Sequence, residues 1–258
     1  MKLSELLKSL ETIADKNDIS KPYIVGGLPR DKVFGLPSNI KDIDVTTGDS
    51  SSLSLAMNAS REWPDANFRV YDDGHSSLDF SNIRLDFSNN FQLPGIEPIL
   101  KKMGIEKPSN IEKELYSRDF TINTLLQPMD LSEDPVDKTG RALKDAAKKV
   151  LITPVDPELT IGHDARRILR AIRLALQFNL NVDPKLSEAM LKYRGGIKDL
   201  STGHVKKQIN QILNIDPKRA LDMLTKYKLL PIIPLSKLMM QEITKNHMVQ
   251  HLVDNQAD

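Results

Sequence analysis

The 258-residue chain is 40% hydrophobic and 28% charged, which is the composition of an ordinary globular protein with one large or two small domains. It contains no cysteine, and this excludes disulfides, cysteine zinc sites and thiol nucleophiles. The first residues carry charges throughout, which is not the pattern of a secretory signal. No apolar run approaches the roughly 18 residues that a membrane span needs. We therefore expect a cytoplasmic protein that has no membrane partner.

The formal net charge of +1 conceals an uneven distribution of charge along the chain. Residues 1–160 hold 20 Lys and Arg against 26 Asp and Glu, whereas residues 161–230 hold 14 against 6. Clustered Lys and Arg are typical of proteins that bind phosphate polymers, but a solvated helical surface without any partner has the same composition. The charge pattern alone leaves both interpretations open.

The first 150 residues show the pattern of alternating helices and strands. Apolar residues at helical spacing predict a helix over 3–14 and another near 52–62. Gly26 and Gly27 interrupt the chain after a short apolar run, and Pro29 suits the first turn of a helix that follows them. Short apolar or alternating runs predict strands at 23–25, 42–45, 67–71, 77–80, 84–88 and 124–128.

The rest of the chain predicts one helix after another. Asp156 is a suitable N-cap, and Pro157 suits the first position of the helix that it would start. The predicted helices cover residues 157–178, 184–193, 201–213, 216–228 and 236–252. We expect an α+β protein in which a mixed-sheet domain, residues 1–153, precedes an all-helical domain, residues 154–258.

Asp42 and Asp44 are the first candidates for chemistry. Side chains two residues apart on a strand point to the same face, so these two carboxylates converge and would attract a hard cation such as Mg²⁺. Asp86 lies on the polar face of a second predicted strand and would complete a three-carboxylate cluster. Such a cluster holds two metal ions about 4 Å apart in phosphoryl transfer, although an Asp-x-Asp alone is more often a surface strand or turn.

The Gly26-Gly27 pair strengthens this interpretation. A glycine pair between a strand and a helix allows backbone N–H groups to approach an anion closely. Arg30 follows in the first turns of the predicted helix, where its guanidinium can reach a phosphate oxygen. A lone glycine pair is usually only a turn, but this one would place a phosphate site next to the predicted metal site.

These stretches resemble the head of the class II CCA-adding enzymes and bacterial poly(A) polymerases, which are polymerase-β-like nucleotidyltransferases. The resemblance covers about residues 20–230, and its motifs occur in the order of the family. The motifs are Val25–Asp31 with Phe34 and Gly35, Lys41–Val45, a sugar-selecting motif at Ser117–Asn123, a flexible-loop motif at Asp137–Asp145 and a nucleotide-base motif at Asp164–Arg173.

The resemblance implies a template-independent enzyme that adds CCA to tRNA or A residues to RNA. It implies two Mg²⁺ ions on Asp42, Asp44 and Asp86, ATP as a substrate, and CTP as the second candidate. The partner that it implies is the 3′ end of an RNA, first of all a tRNA. The residues that it assigns to the nucleotide are Gly26, Gly27, Arg30, Arg118, Asp119, Asn123, Asp164, Arg167, Arg170 and Arg173.

Within this set, Arg118, Asp119 and Asn123 are implied to hold the ribose and triphosphate, and Asp164 with Arg167 to pair with the base. Asp119 and Asn123 are four residues apart, so they share one face of a helical turn, although a simple helix cap has the same pattern.

Four arginines of the predicted helix at 157–178 lie opposite its apolar stripe. The stripe consists of Ile161, Ile168, Leu169, Ile172, Ala175 and Leu176. The arginines are Arg166, Arg167, Arg170 and Arg173, and Asp164 is expected one turn from Arg167. An exposed ion pair would explain Asp164 and Arg167 by themselves, but four arginines without matching acids favour phosphate or RNA contacts.

The match to the family is incomplete. His163 stands where Glu is usual, Ser117 replaces an Arg, and the segment Ser201–Val205 lacks the usual Glu and Arg. Family members continue into body and tail domains, so we expect a chain that is shortened at its carboxyl end. Two other functions stay open: a nucleotidyltransferase that modifies a small molecule or a protein, and a non-catalytic RNA-binding relative.

Overall fold

The structure is a computed structural model, and it describes residues 3–37 and 40–234. The chain divides into two compact units between Lys148 and Lys149, close to the domain boundary predicted after residue 153. Each unit is described by itself.

The first unit is built on a five-stranded mixed sheet with the strand order β1-β2-β5-β4-β3. Strands β2 and β5 are parallel, and every other neighbouring pair is antiparallel. The strands are β1 (Tyr23–Val25), β2 (Asp42–Thr46), β3 (Asn67–Val70), β4 (Ser76–Asp79) and β5 (Arg84–Phe87). The helices are α1 (Leu3–Lys16), α2 (Gly27–Val33), α3 (Ser52–Glu62), α4 (Ile96–Lys102), α5 (Asn110–Tyr116) and α6 (Ala142–Ala147), with a short 3₁₀ turn at Thr121–Asn123.

One face of this sheet is buried against α1 and α3. Ile43 of β2 and Leu85 of β5 are completely buried and share one hydrophobic core with the leucines of α1. Each such side chain contributes roughly 1.5–3 kcal/mol when it is fully buried, so a one-residue slip of either strand would be strongly unfavourable. Because side chains alternate along a strand, Asp42, Asp44 and Asp86 lie on the opposite face.

The predicted strand at 124–128 is wrong. Ile24 and Gln127 exchange two backbone hydrogen bonds of 2.8 Å, and Leu126 pairs with Val136, but both contacts are isolated bridges. Pro128 follows immediately and has no N–H to continue a ladder. The apolar run is buried because the chain crosses the free edge of β1 there.

Residues 149–234 of the second unit are helical apart from a two-stranded parallel ribbon and the connecting loops. The ribbon pairs β6 (Val150–Leu151) with β7 (Asn181–Val182). The helices are α7 (Pro157–His163), α8 (Arg166–Gln177), α9 (Pro184–Tyr193), α10 (Thr202–Ile215) and α11 (Pro217–Lys226), with a 3₁₀ segment at Arg194–Asp199. The α+β fold class is thereby confirmed, while the predicted helix at 236–252 lies outside the described residues.

The single helix predicted over 157–178 is also wrong, because it breaks between α7 and α8. Asp164 has an extended backbone, with φ −146° and ψ 102°, and therefore ends α7. Its side chain accepts the backbone N–H of Arg166, as a capping residue does at the start of a helix. Asp164 consequently precedes α8 instead of lying on it.

Helix α8 presents its apolar side to α10 and α11. The predicted apolar stripe on α8 is confirmed, since Ile168, Leu169, Ile172, Ala175 and Leu176 are all buried, while Ile161 is buried on α7. Among the described residues, no helix has both the length and the apolar character needed to cross a membrane. The cytoplasmic location expected from the sequence stays a prediction.

Candidate active site

Three predicted carboxylates occupy the exposed face of two neighbouring parallel strands. The register of β2 and β5 places Asp44 directly beside Asp86, and Asp42 beside Arg84. Asp42 and Asp44 are exposed, whereas Ile43 between them is buried. The alternation that buries the apolar residues therefore brings the carboxylates to one face, as the sequence indicated.

Arg84 belongs to this face as well. Its Nε lies 2.8 Å from Oδ1 of Asp86, and its Nη2 donates to the Tyr71 hydroxyl at 2.9 Å. Burial opposes the charged guanidinium, but Asp86 and Tyr71 outweigh that effect and raise the pKa of Arg84. The sequence prediction omitted Arg84, although its spacing of two from Asp86 was a readable signal.

The carboxylates fit magnesium in their chemistry, since Mg²⁺ prefers oxygen ligands and Asp42 and Asp44 present such oxygens side by side. Within residues 3–37 and 40–234, no three His, Asp or Glu side chains are arranged to hold a metal ion. Asp86 is paired with Arg84 instead. Magnesium binding by all three carboxylates therefore stays a prediction.

Gly26 lies directly against the carboxylate of Asp44. Val25 pairs with Asp44 across β1 and β2, and the chain turns at Gly26 with φ 78° and ψ −123°. A Cβ at Gly26 would overlap Oδ2 of Asp44 and would lie 3.4 Å from its carboxyl carbon. Both the backbone conformation and the close approach therefore require glycine.

Three of the predicted nucleotide-binding residues form one buried hydrogen-bonded chain. Nη1 of Arg30 donates to Oδ1 of Asn123 at 2.9 Å, and Nδ2 of Asn123 donates to Oδ1 of Asp119 at 2.8 Å. Arg30 also pairs with Asp31 at 2.7 Å. The contact between Asp119 and Asn123 matches the shared face expected from their spacing.

Arg118 lies two residues after α5 and is paired with a residue that the sequence prediction missed. Its Nη2 lies 2.7 Å from Oε1 of Glu114, one helical turn earlier. No sequence motif marked Glu114, but a Glu and an Arg four residues apart on a helix were the available signal. The adjacent Ser117 has a structural contact, because its buried hydroxyl accepts the backbone N–H of Leu93 at 2.7 Å.

Asp164 in the second unit forms an ion pair with Arg166. Nε of Arg166 lies 2.9 Å and 3.0 Å from the two carboxylate oxygens. Burial raises the pKa of Asp164, but hydrogen bonds from the side chain and backbone of Arg166, and the charge of Arg167, lower it below its ordinary value. Arg167 remains near, since its backbone N–H bonds the carbonyl of Asp164.

The four arginines of α8 lie away from its buried stripe. Arg166 and Arg170 are exposed, and Arg167 and Arg173 are half-buried. Nη1 of Arg173 donates to Gln211 of α10 at 3.3 Å. A basic surface along α8 is present as predicted, and its role stays a prediction.

Curated proteins with similar sequences include two tRNA nucleotidyltransferases. A tRNA nucleotidyltransferase of Schizosaccharomyces pombe is 29% identical over 217 residues, which cover 72% of this chain and 42% of that protein. A CC-adding tRNA nucleotidyltransferase of Halalkalibacterium halodurans is 28% identical over 211 residues, which cover 80% and 48%. The chain thus spans less than half the length of either relative.

Solved structures show the same fold. The Thermotoga maritima CCA-adding enzyme in complex with tRNA superposes with a TM-score of 0.70 at 22% identity, covering 90% of this chain and 53% of that one. A CCA-adding enzyme in complex with CTP gives a TM-score of 0.67 at 23% identity, covering 87% and 51%. The family described as the poly A polymerase head domain matches residues 22–152, which is half of this chain. The chain therefore belongs to the poly A polymerase head family, as the motifs of its sequence had indicated.

Proposed function

We propose that this chain is a template-independent nucleotidyltransferase that adds nucleotides to the 3′ end of an RNA, with tRNA as the acceptor. The observation that carries the proposal is the parallel register that sets Asp44 beside Asp86 on the face that also bears Asp42. Membership of the poly A polymerase head family and the names of the two relatives support the same activity.

In this reaction the RNA 3′-hydroxyl attacks the α-phosphate of a nucleoside triphosphate, and pyrophosphate leaves. Asp42, Asp44 and Asp86 would hold two Mg²⁺ ions, and the chemistry available at such a site is activation of the attacking oxygen and stabilisation of the leaving one. The proposal assigns no side chain as general base. The remaining residues bind and orient the nucleotide.

The buried chain of Arg30, Asn123 and Asp119 is the proposed site for the ribose and triphosphate. Its members are already held in place by hydrogen bonds of 2.8–2.9 Å, so little side-chain freedom is lost when the nucleotide binds. Gly26 presents only backbone beside Asp44, and Gly27 presents only backbone beside Arg30, so neither adds a side chain that would keep a phosphate away.

The second unit is proposed to select the base and to bind RNA. Asp164 offers only acceptors and Arg167 only donors, a combination that suits the Watson–Crick edge of A or C. Neither G nor U offers the amino donor that Asp164 requires, so ATP is the expected substrate and CTP the second candidate. Arg170 and Arg173 are assigned to the RNA phosphates.

The direct test incubates the protein with Mg²⁺ and each labelled nucleoside triphosphate in turn. The acceptors are a tRNA that lacks its CCA end and an unstructured oligonucleotide, and the Asp42→Asn protein is the control. Extension of either RNA by the unaltered protein alone supports the proposal. Labelling of a small molecule or protein in place of RNA would favour the alternative acceptor, and RNA binding without any transfer would favour the non-catalytic relative.

A further inference from the structure

Glu114 is a buried carboxylate with three side-chain partners, Thr46 of β2, Ser88 just after β5 and Arg118 just after α5. Its residue is 3% exposed. Oε2 accepts the hydroxyl of Thr46 at 2.7 Å, and Oε1 accepts the hydroxyl of Ser88 at 3.2 Å and Nη2 of Arg118 at 2.7 Å. A buried charge without such partners would be strongly unfavourable, so this position is chemically specific.

These partners place Glu114 at the carboxyl ends of the two strands that bear the acidic residues. Thr46 lies two residues after Asp44 on β2, and Ser88 lies two residues after Asp86 at the end of β5. Residues two apart on a strand share a face, so Glu114 contacts the same side of the sheet that carries the carboxylates. Arg118 is thereby drawn to that side as well.

The helix that carries Glu114 is itself fixed at its start. Ser109 and Glu112 form a capping box, in which each side chain bonds the backbone of the other residue. Glu114 forms an ion pair with Arg118, which follows it by four residues and has a side chain that is 20% exposed. The buried carboxylate therefore holds an arginine whose side chain keeps partial access to solvent, although its Nε is buried.

We propose that Glu114 is a positioning residue that aims Arg118 at the triphosphate and links it to the ends of β2 and β5. The inference rests on the proposed function, because it takes the triphosphate as the group that Arg118 meets. Loss of the charge on Glu114 should weaken nucleotide binding, since a guanidinium that has lost this ion pair is less well ordered before the ligand binds.

The test measures the Kd of the non-hydrolysable analogue α,β-methylene-ATP with Mg²⁺, so it needs no acceptor RNA. Glu114→Gln keeps the shape and can still bond the hydroxyls of Thr46 and Ser88, but it removes the ion pair. We expect its Kd to rise about tenfold or more. The matched control is Glu97→Gln, which removes an exposed carboxylate paired with Lys101 at 3.0 Å and should leave the Kd within about twofold.

A double variant separates positioning from a general structural effect. If Glu114 acts through Arg118, then Glu114→Gln combined with Arg118→Gln binds the analogue no more weakly than Arg118→Gln alone. The inference is overturned if the Kd of the double variant rises by the product of the two single-variant fold-changes, or if Glu114→Gln leaves the Kd unchanged. Glu114→Asp supplies the same comparison if the Gln variant does not fold, because it keeps the charge but shortens the reach.

The outcomes also separate this inference from the proposed function. Where RNA extension occurs, Glu114→Gln should raise the KM for ATP about tenfold while kcat stays within about twofold. A loss confined to kcat would refute the positioning role and leave the transferase intact. If the effects of Glu114→Gln and Arg118→Gln on analogue binding are coupled but the protein extends no RNA, the positioning role is supported and the transferase activity is refuted.

Discussion

Replacing Gly26 by Ala perturbs the candidate site through one added methyl group. The backbone at φ 78° and ψ −123° lies in a region that only glycine adopts readily, so the substitution introduces strain of roughly 1–3 kcal/mol. The new Cβ would also overlap the carboxylate of Asp44, which must rotate or shift. We expect a stability loss of about 2–4 kcal/mol together with loss of nucleotide addition.

The control separates strain from the clash with the carboxylate. Gly95 has a φ of 75°, and a Cβ there meets no atom within 4 Å. Gly95→Ala should therefore lower stability by about 1–2 kcal/mol and leave activity unchanged. Denaturant unfolding and RNA extension, measured on both variants, provide the two readouts.

A third comparison tests whether the clash with Asp44 causes the part of the stability loss that backbone strain does not explain. In an Asp44→Ala background the carboxylate is gone, and the nearest remaining side-chain atom is the Cβ of residue 44, at 3.7 Å from the added methyl. Gly26→Ala should then lower stability by no more than the strain alone. An equal loss in both backgrounds, or an active Gly26→Ala protein, would show that the close approach of Gly26 to Asp44 is unimportant.

Three further outcomes are expected. Asp42→Asn should abolish nucleotide addition while the free energy of unfolding stays within about 0.5 kcal/mol, measured by RNA extension and denaturant titration, and normal turnover would refute the metal assignment. Arg170→Glu should weaken RNA binding and reduce the slope of log K against log salt by about one, whereas salt-independent binding by the unaltered protein would rule out phosphate contacts. Asp164→Ala should relax selection among the four nucleoside triphosphates more than it lowers kcat/KM for ATP, and unchanged ratios would mean that the base is selected elsewhere.

The sequence predicted best where local alternation determined the structure. Ile43 and Leu85 had to face the core, so Asp42, Asp44 and Asp86 had to face the other way, and this followed from spacing alone. The apolar stripe of α8 was readable for the same reason, since helical spacing places those residues together. In both cases the burial of many side chains outweighs any single local preference.

Prediction was less successful where one contact overrides a local pattern. The periodicity over 157–178 is helical on both sides of Asp164, yet a single carboxylate that accepts the N–H of Arg166 starts a new helix there. The apolar run at 124–128 has strand character, but only Gln127 bonds to β1 before Pro128 ends the pairing. Both results depend on individual hydrogen-bond partners, which the spacing of apolar residues in the sequence does not specify.

The contacts of Asp86 and Arg118 show a common principle of this site. Two side chains that the resemblance assigns to the site are each paired with one that it does not assign, Asp86 with Arg84 and Arg118 with Glu114. Arg84 lies two residues before Asp86 on the same strand, so the two share a face. Glu114 lies four residues before Arg118, which follows the end of α5. The charges near the acidic strands thus form neighbouring pairs, and the loss of Arg84 or Glu114 should disturb the side chain with which it is paired.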